Sequence, residues 1–421
     1  MGKTKFYGWK LVTVLWVIYL INIGFCMYGG IVVNTYMLRA LEMERKAFGL
    51  GMMLFALIGG LQGFLIAHAI NKRGIRFTLC LGSVMIACGG LLMYSIVNRP
   101  WQYFLVFGIL MGSGVGFGSV LPVQTGITLW FSKKKALALS IALTAAGVGG
   151  FISVPILTRI MEASPSGWKM GWLFLSGLAF LAVAVSFFFV KNKPSDLGQF
   201  PDGIDPANVN EPVSGLSPQL RVYQTTDNWT LKQVFGSKSI WLIFIGAVGF
   251  NVPWILCTSH GVIHFIDKGF APAVASMSIG LLTLCSIVGR LLGGALGDRI
   301  EPKLIWCIAM LIMLPGVLTA MLAVSKFHIY LYAILLGIGF GASFVSMSAL
   351  IGNYYGADTF ASVTGVLMLL LTITVSSVPL IGGWIFDVLE SYNIAFIGVL
   401  ILCAAGIAAL IAAKPGNPSK E

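Results

Sequence analysis

Residues 286–303 read SIVGRLLGGALGDRIEPK, and this short run decides what kind of chain it belongs to. From about Ala271 to Gly297 the sequence is almost free of charge. At 1.5 Å per helical residue, that length crosses about 30 Å of hydrocarbon. The apolar stretch stops at Asp298-Arg299, and one arginine, Arg290, lies inside it. The run therefore reads as a membrane span with a charged loop at its end and an ionisable group within.

The bulk numbers extend that reading to the whole chain. Of 421 residues, 57% are hydrophobic and only 10% charged, and the mean hydropathy is +0.91. So little charge cannot cover a soluble protein of this size, which makes the bilayer the expected solvent. The 51 glycines suit helices that approach closely in lipid. A net charge of +12 raises the question of nucleic acid, but the basic residues sit in short clusters between apolar runs. Asn71-Lys72-Arg73 and Lys133-Lys134-Lys135 are examples. This is the pattern of membrane topology, not of a basic binding face. The seven cysteines all fall in apolar runs without metal or redox spacing, and no P-loop is present, so no cofactor or metal is expected. The N-terminal apolar run continues past Tyr19 without a small-residue cleavage site, and reads as an uncleaved first span.

Apolar runs fall at about 9–34, 48–70, 75–97, 101–131, 136–160 and 168–190, and again at 239–263, 272–297, 304–325, 329–354, 361–386 and 394–413. The expected fold is all-α, with twelve transmembrane helices in two six-helix bundles, 1–190 and 239–421. A polar linker, 191–238, joins them. Lys and Arg concentrate in the segments that an inside N-terminus makes cytoplasmic, so both termini are expected in the cytoplasm. The halves also repeat. A shift of 225 residues lays Gly112, Gly114 and Gly116 on Gly337, Gly339 and Gly341, and Ala136 on Ala361. A shift of 227 lays NKRGIR (71–76) on DRIEPK (298–303). Two parallel six-span repeats are the build of a rocking secondary transporter, with substrate near the midplane.

The run Gly294-x-x-x-Asp298-Arg299-x-x-x-Lys303 resembles the inter-span signature of the major facilitator superfamily, and the resemblance covers essentially the whole chain. FYGWKLV (6–12), PSDLGQFPDG (194–203) and the eighth-span arginine look closest to its monocarboxylate-transporter-like and oxalate/formate-exchanger-like branch. The resemblance implies alternating access without covalent catalysis, so the chain is not expected to be an enzyme. It also implies a cytoplasmic gate braced by Asn71, Lys72, Arg76, Asp298 and Arg299. There are departures. Asn71 stands where the signature usually has Asp, and Glu301 where Gly is usual. Ser286 stands one turn before the arginine, where animal monocarboxylate carriers have Asp. The first-span lysine of those carriers and the eleventh-span lysine of the oxalate exchanger are both missing.

Every Asp and Glu lies in a loop, a tail or a span end, so Arg290 has no evident intramembrane counter-ion. It sits eight residues before Asp298, about 12 Å along a helix, where a charge costs about 3 kcal/mol on insertion scales. Ser276, Gly280, Thr283, Ser286 and Arg290 share one helical stripe. A guanidinium on such a stripe matches a carboxylate with two parallel hydrogen bonds. The alternative is a structural arginine bonded to a neighbouring helix. Asn22, Gln124, Asn251, Thr372 and Ser376 lie near span centres, as polar helpers or as interhelical links. Pro253 after Asn251 is a point where the helix could be interrupted. Phe117, Phe340 and Phe344 are candidate apolar walls. His260 and His264, one turn apart, are candidates for proton coupling, or else residues of a span end.

The sequence therefore predicts a secondary transporter of small organic anions, a lactate- or pyruvate-like monocarboxylate above all. Substrate-binding candidates are Arg290, Ser286, Asn22, Asn251 and Phe344, and proton symport is preferred to anion exchange. Anion exchange, export of hydrophobic compounds and a non-transporting receptor are the alternatives. Its partners are the substrate, a proton and the lipid bilayer, with no nucleic acid. A monomer in a bacterial inner membrane is the expected setting.

Overall fold

The structure, a computed structural model, describes residues 6–131, 135–164, 167–203, 223–225, 227, 229–297 and 300–416. Among these residues every regular element is helical. In chain order the helical stretches are α1 (Gly8–Ala40), α2 (Arg45–Leu61), α3 (Gly63–Ser95), α4 (Pro100–Trp130), α5 (Lys135–Glu162) and α6 (Gly167–Phe189). There follow α7 (Leu231–Gly236), α8 (Lys238–Asp267), α9 (Pro272–Gly297), α10 (Pro302–Met321) and α11 (Lys326–Tyr355). The last three are α12 (Ala357–Val375), α13 (Val378–Leu389) and α14 (Asn393–Ala412).

Eleven stretches among the described residues are long and apolar enough to cross a membrane. The difference from twelve lies in how the second and third crossings are divided. The second breaks at Gln62, between α2 and α3. α3 then continues through Gly74 into the third crossing. Gly74 has φ +82°, and the Asn192 side chain occupies the place its Cβ would take. Only glycine turns the chain there. Asn192 Oδ1 also accepts the Arg76 backbone N–H at 3.0 Å. The eleventh crossing is likewise two helices, with Ser376 and Ser377 between them and Pro379 in the first turn of α13.

The chain divides into two compact units: unit 1, Met1–Met43 with Leu54–Leu216, and unit 2, Glu44–Met53 with Ser217–Glu421. Within each, glycines set the helix spacing. In unit 1 a Cβ on Gly24 would collide with the backbone of Gly149, and one on Gly82 with that of Gly118. In unit 2, Gly289 lies on the carbonyl of Ile338, and Gly341 on the carbonyl of Ser286. Lipid tails are as apolar as leucine, so close backbone contact rather than burial from water drives such packing. The outward faces are apolar accordingly: Phe64 is 81% exposed and Ile401 63%.

The motifs FYGWKLV and PSDLGQFPDG meet in unit 1. Tyr7 donates its hydroxyl to the carbonyl of Phe189 at 2.7 Å, and its N–H to Gln199 Oε1 at 3.0 Å. Phe6 packs on Trp130 and Phe131. Burial raises the Tyr7 hydroxyl above its ordinary pKa, so it stays a donor. Tyr7→Phe is expected to cost about 1 kcal/mol, seen as a fall of about 2–4 °C in thermal unfolding midpoint.

Candidate functional site

α8, α9 and α11, all in unit 2, carry the polar and aromatic side chains of the candidate site. α9 and α11 touch backbone to backbone because Gly337 sits on the Leu282 carbonyl and Gly341 on that of Ser286, close to the Arg290 N–H. This fixes the height of Arg290 against Phe344, three residues after Gly341. The Arg290 guanidinium lies over the Phe344 ring, its Cζ 5.1 Å from the centroid, which is cation–π distance. Its Nε is buried, and no hydrogen-bond partner reaches it among the described residues. No carboxylate forms an ion pair with Arg290 among them either. Beyond Phe344 the aromatic wall continues. Phe340 is 6.3 Å from Phe344, and Trp254 stacks on Phe340 at 3.8 Å with planes 15° apart. Phe250 closes that group, 5.6 Å from Phe340.

The other candidates are placed differently. Ser286 is buried and donates to the Thr283 carbonyl at 2.7 Å. Its stripe, with Ser276 and Thr283, is buried in protein. Asn251 donates to the Ala247 carbonyl of its own helix at 2.9 Å, and α8 runs through Pro253 without interruption. The break considered at that proline does not occur. Asn22 lies in unit 1, in a π-helical stretch of α1 (Leu20–Gly29), and is fully buried. Its amide donates to Ser83 Oγ at 3.0 Å and to the Gly118 carbonyl at 2.7 Å, while its Oδ1 has no partner among the described residues. One acceptor is thus left unmet on a residue that ties three helices together. Of the gate motif, Asn71 and Lys72 are exposed, and Arg76 lies over the Phe187 ring at 4.6 Å. Asp298 and Arg299 lie outside the described residues.

The two histidines are buried in unit 2. His260 Nε2 is 2.7 Å from the Pro379 carbonyl, and its Nδ1 is 3.0 Å from the Tyr392 hydroxyl. A carbonyl only accepts, so Nε2 carries the proton, and the neutral ring takes a hydrogen bond from Tyr392 at Nδ1. Burial above all, then Asp267 and Asp387, raises the Tyr392 hydroxyl well above the ordinary phenol range despite Arg45, so it is the donor. His264 donates from Nε2 to the Ala320 carbonyl at 3.1 Å and packs on Phe396. Both sit in the core of the bundle end, away from the lipid-facing surface.

Tyr392, Arg45, Asp267 and Asp387 are absent from the sequence-derived candidates. Their signal was weak because each stands at a span end, where a polar residue usually meets the interface.

Long apolar helices in two units, glycine-spaced, with an arginine inside a span that pairs with no carboxylate among the described residues, mark a polytopic membrane protein. The sequence profile of the Major Facilitator Superfamily matches residues 15–324 and 262–421, and the chain belongs to that superfamily. Among similar proteins, a Bos taurus protein named monocarboxylate transporter 13 is 24% identical over 341 residues, 80% of this chain and 74% of its own length. An Aspergillus flavus protein named MFS transporter asaE is 24% identical over 423 residues, 97% of this chain and 86% of its own. The fold matches a bacterial homologue of the human lysosomal transporter Spinster with a TM-score of 0.69 at 15% identity, over 97% of this chain and 94% of that one. It matches the nucleoside transporter NupG with a TM-score of 0.71 at 13% identity, over 96% and 99%. The superfamily consists of transporters, and the chain is not an enzyme.

Proposed function

We propose that the chain is a secondary active carrier of small organic anions, with a monocarboxylate of the lactate or pyruvate type as substrate. The observation that carries this reading is the buried Arg290 Nε, without a partner among the described residues, on a guanidinium backed by Phe344. A carboxylate arriving at that fork gains charge-assisted hydrogen bonds that no protein acid already occupies. Phe344 and Phe340 offer an apolar wall for the rest of a small acid, and Asn251, half-exposed on α8, a polar one. Ser286 acts through helix placement in this reading, and Asn22 through the acceptor left on its amide. Proton symport is preferred to exchange, with His260 and His264 as the titrating pair. Alternating access is braced by Asn71, Lys72, Arg76, Asp298 and Arg299, in a plasma-membrane monomer with both termini in the cytoplasm.

A second reading is export of a larger organic compound. A Paecilomyces divaricatus protein named agnestins efflux protein, 26% identical over 56% of this chain, favours it. Uptake of labelled lactate, pyruvate, formate and oxalate into proteoliposomes, with and without an inward proton gradient, separates the two. Saturable uptake of a monocarboxylate, raised by the gradient, is the expected result. Counterflow without gradient stimulation would make the carrier an exchanger. No uptake of any of the four acids would leave export as the better account.

A further inference from the structure

The end of α6 gathers charge from two helices of the same unit. α6 stops at Phe187-Phe188-Phe189, and Lys191 and Lys193 follow. Arg76 of α3 lies over the Phe187 ring, its Cζ 4.6 Å from the centroid. Lys10 of α1 lies over the Phe189 ring, its Nζ 5.8 Å from the centroid and 5.5 Å from that of Tyr7. The Tyr7 hydroxyl, bonded to the Phe189 carbonyl, ties α1 to this end of α6. At about 100° per residue, Phe187 and Phe189 fall on nearly opposite sides of the helix, with Phe188 midway between them. Phe188 is 66% exposed, so an uncovered ring stands between two cations that rest on rings of their own. All of these residues belong to unit 1.

The cations keep their charge and most of their donors, because a cation–π contact neutralises neither. No carboxylate forms an ion pair with Lys10, Arg73, Arg76, Lys191 or Lys193 among the described residues. Asp196, the first acid after the helix, accepts the Lys193 backbone N–H at 3.2 Å. The cluster stands where an apolar span ends, which is the level of lipid phosphates. From there back along α6, Phe188, Ala184, Leu181 and Gly177 lie on one stripe. Leu181 is exposed, and a Cβ on Gly177 would meet nothing within 4 Å. Alternation of large and small side chains leaves a furrow about 16 Å long by the helical rise. That is half of a hydrocarbon core of about 30 Å, the depth of one leaflet. Exposed apolar side chains alone belong to any lipid-facing helix. Unpaired cations at the head of the furrow add a preference: they repel the ammonium of a zwitterionic headgroup and match a phosphodiester with net negative charge.

We propose that this end of unit 1 is a binding site for an anionic phospholipid. The phosphodiester sits at Phe188, held by Lys10 from one side and Arg76 from the other, and one acyl chain lies in the furrow along α6. The site does not depend on which substrate is carried.

Its test is a binding measurement without transport. The full chain, purified and delipidated in detergent, is titrated with phosphatidylglycerol or with phosphatidylcholine of the same acyl chains. Apparent affinity is read from the rise in unfolding midpoint with added lipid. Phosphatidylglycerol is expected to bind about tenfold or more tighter than phosphatidylcholine. Lys10→Gln and Arg76→Gln should each weaken it about fivefold, the effect of one basic side chain at an anionic surface. The double variant should lose about 25-fold, because the two cations act from separate helices. Lys10→Arg keeps the charge and should bind like the parent. Phosphatidylcholine should bind all four variants alike. Lys326→Gln, at an exposed position in unit 2, is the control for overall charge and should leave both affinities unchanged. Equal affinity for the two lipids, unchanged binding in the Lys10 and Arg76 variants, or the same loss in Lys326→Gln would each overturn the site. Displacement of the lipid by inorganic phosphate would reassign the cations to a free anion, and would overturn it as well.

Discussion

Arg290→Gln is expected to lower the transport efficiency for a monocarboxylate about 100-fold or more while leaving the fold intact. Glutamine keeps much of the side chain's reach and polarity but removes the charge and the paired donors. A bidentate, charge-assisted contact contributes about 3 kcal/mol, and each 1.4 kcal/mol is a tenfold change. The stability readout distinguishes a receptor from a structural group. The Arg290 Nε is buried without a partner among the described residues, and a charge in hydrocarbon costs about 3 kcal/mol. Removing it should therefore leave the unfolding midpoint unchanged or raise it. A packing arginine would behave in the opposite way: transport retained, midpoint lowered.

Arg290→Lys sharpens the same argument. An ammonium keeps the charge but loses the planar fork and the flat contact on Phe344. It should rescue part of the lost uptake, about tenfold above the glutamine variant, with weakened discrimination between planar carboxylates and other anions. Full rescue by lysine would mean that Arg290 supplies only a field. Proteoliposome initial rates over a range of substrate concentrations, at one imposed gradient, report all three variants.

The spans were legible because hydrocarbon allows so few alternatives. An apolar run of twenty residues has to be helical when no water is present to satisfy its backbone. Arg290 was legible for the same reason, since a charge inside such a run stands out. The fine structure was not. Nothing local marks Gln62 as a break or Gly74 as the turn; that glycine is required by the Asn192 side chain, far away in sequence. Asn22 reads as a generic polar residue at mid-span, yet its amide is committed to Ser83 and Gly118. Arg45 and Asp267 form an ion pair across 222 residues, and each alone looks like an ordinary residue of a span end. Side-chain chemistry at a span end does not say whether it meets lipid headgroups, water or another helix, and only tertiary packing decides. The helical stripe of Ser276, Thr283 and Ser286 makes the same point. Its period was right, but period alone does not separate a face turned to a cavity from one pressed on a neighbour, and here the residues are buried.

That buried stripe leads to the other large effect. Gly341→Val is expected to abolish accumulation of folded protein, and Gly341→Ala to leave a destabilised protein with impaired transport. A Cβ at this position would fall on the carbonyl of Ser286 and 2.8 Å from the Arg290 N–H. Those atoms are helix backbone, which cannot rotate away as a side chain can, so α9 and α11 must separate. Overpacking of this kind costs about 1–3 kcal/mol for small insertions and more for branched ones. Separation also removes the close contact that stabilises helices in lipid. Gly341 precedes Phe344 by less than one turn and touches the helix that carries Arg290, so the displacement reaches the guanidinium and its ring together. The alanine variant should therefore lose transport out of proportion to its loss of stability. Gly294, where a Cβ meets nothing within 4 Å, is the control on α9, the helix that carries Arg290: Gly294→Ala should leave both quantities near the parent values. Fluorescence-detected size exclusion for the amount folded, with initial uptake rates per folded molecule, checks the pair. Equal behaviour of the two alanine variants would mean that backbone contact between α9 and α11 does not set the geometry at Arg290.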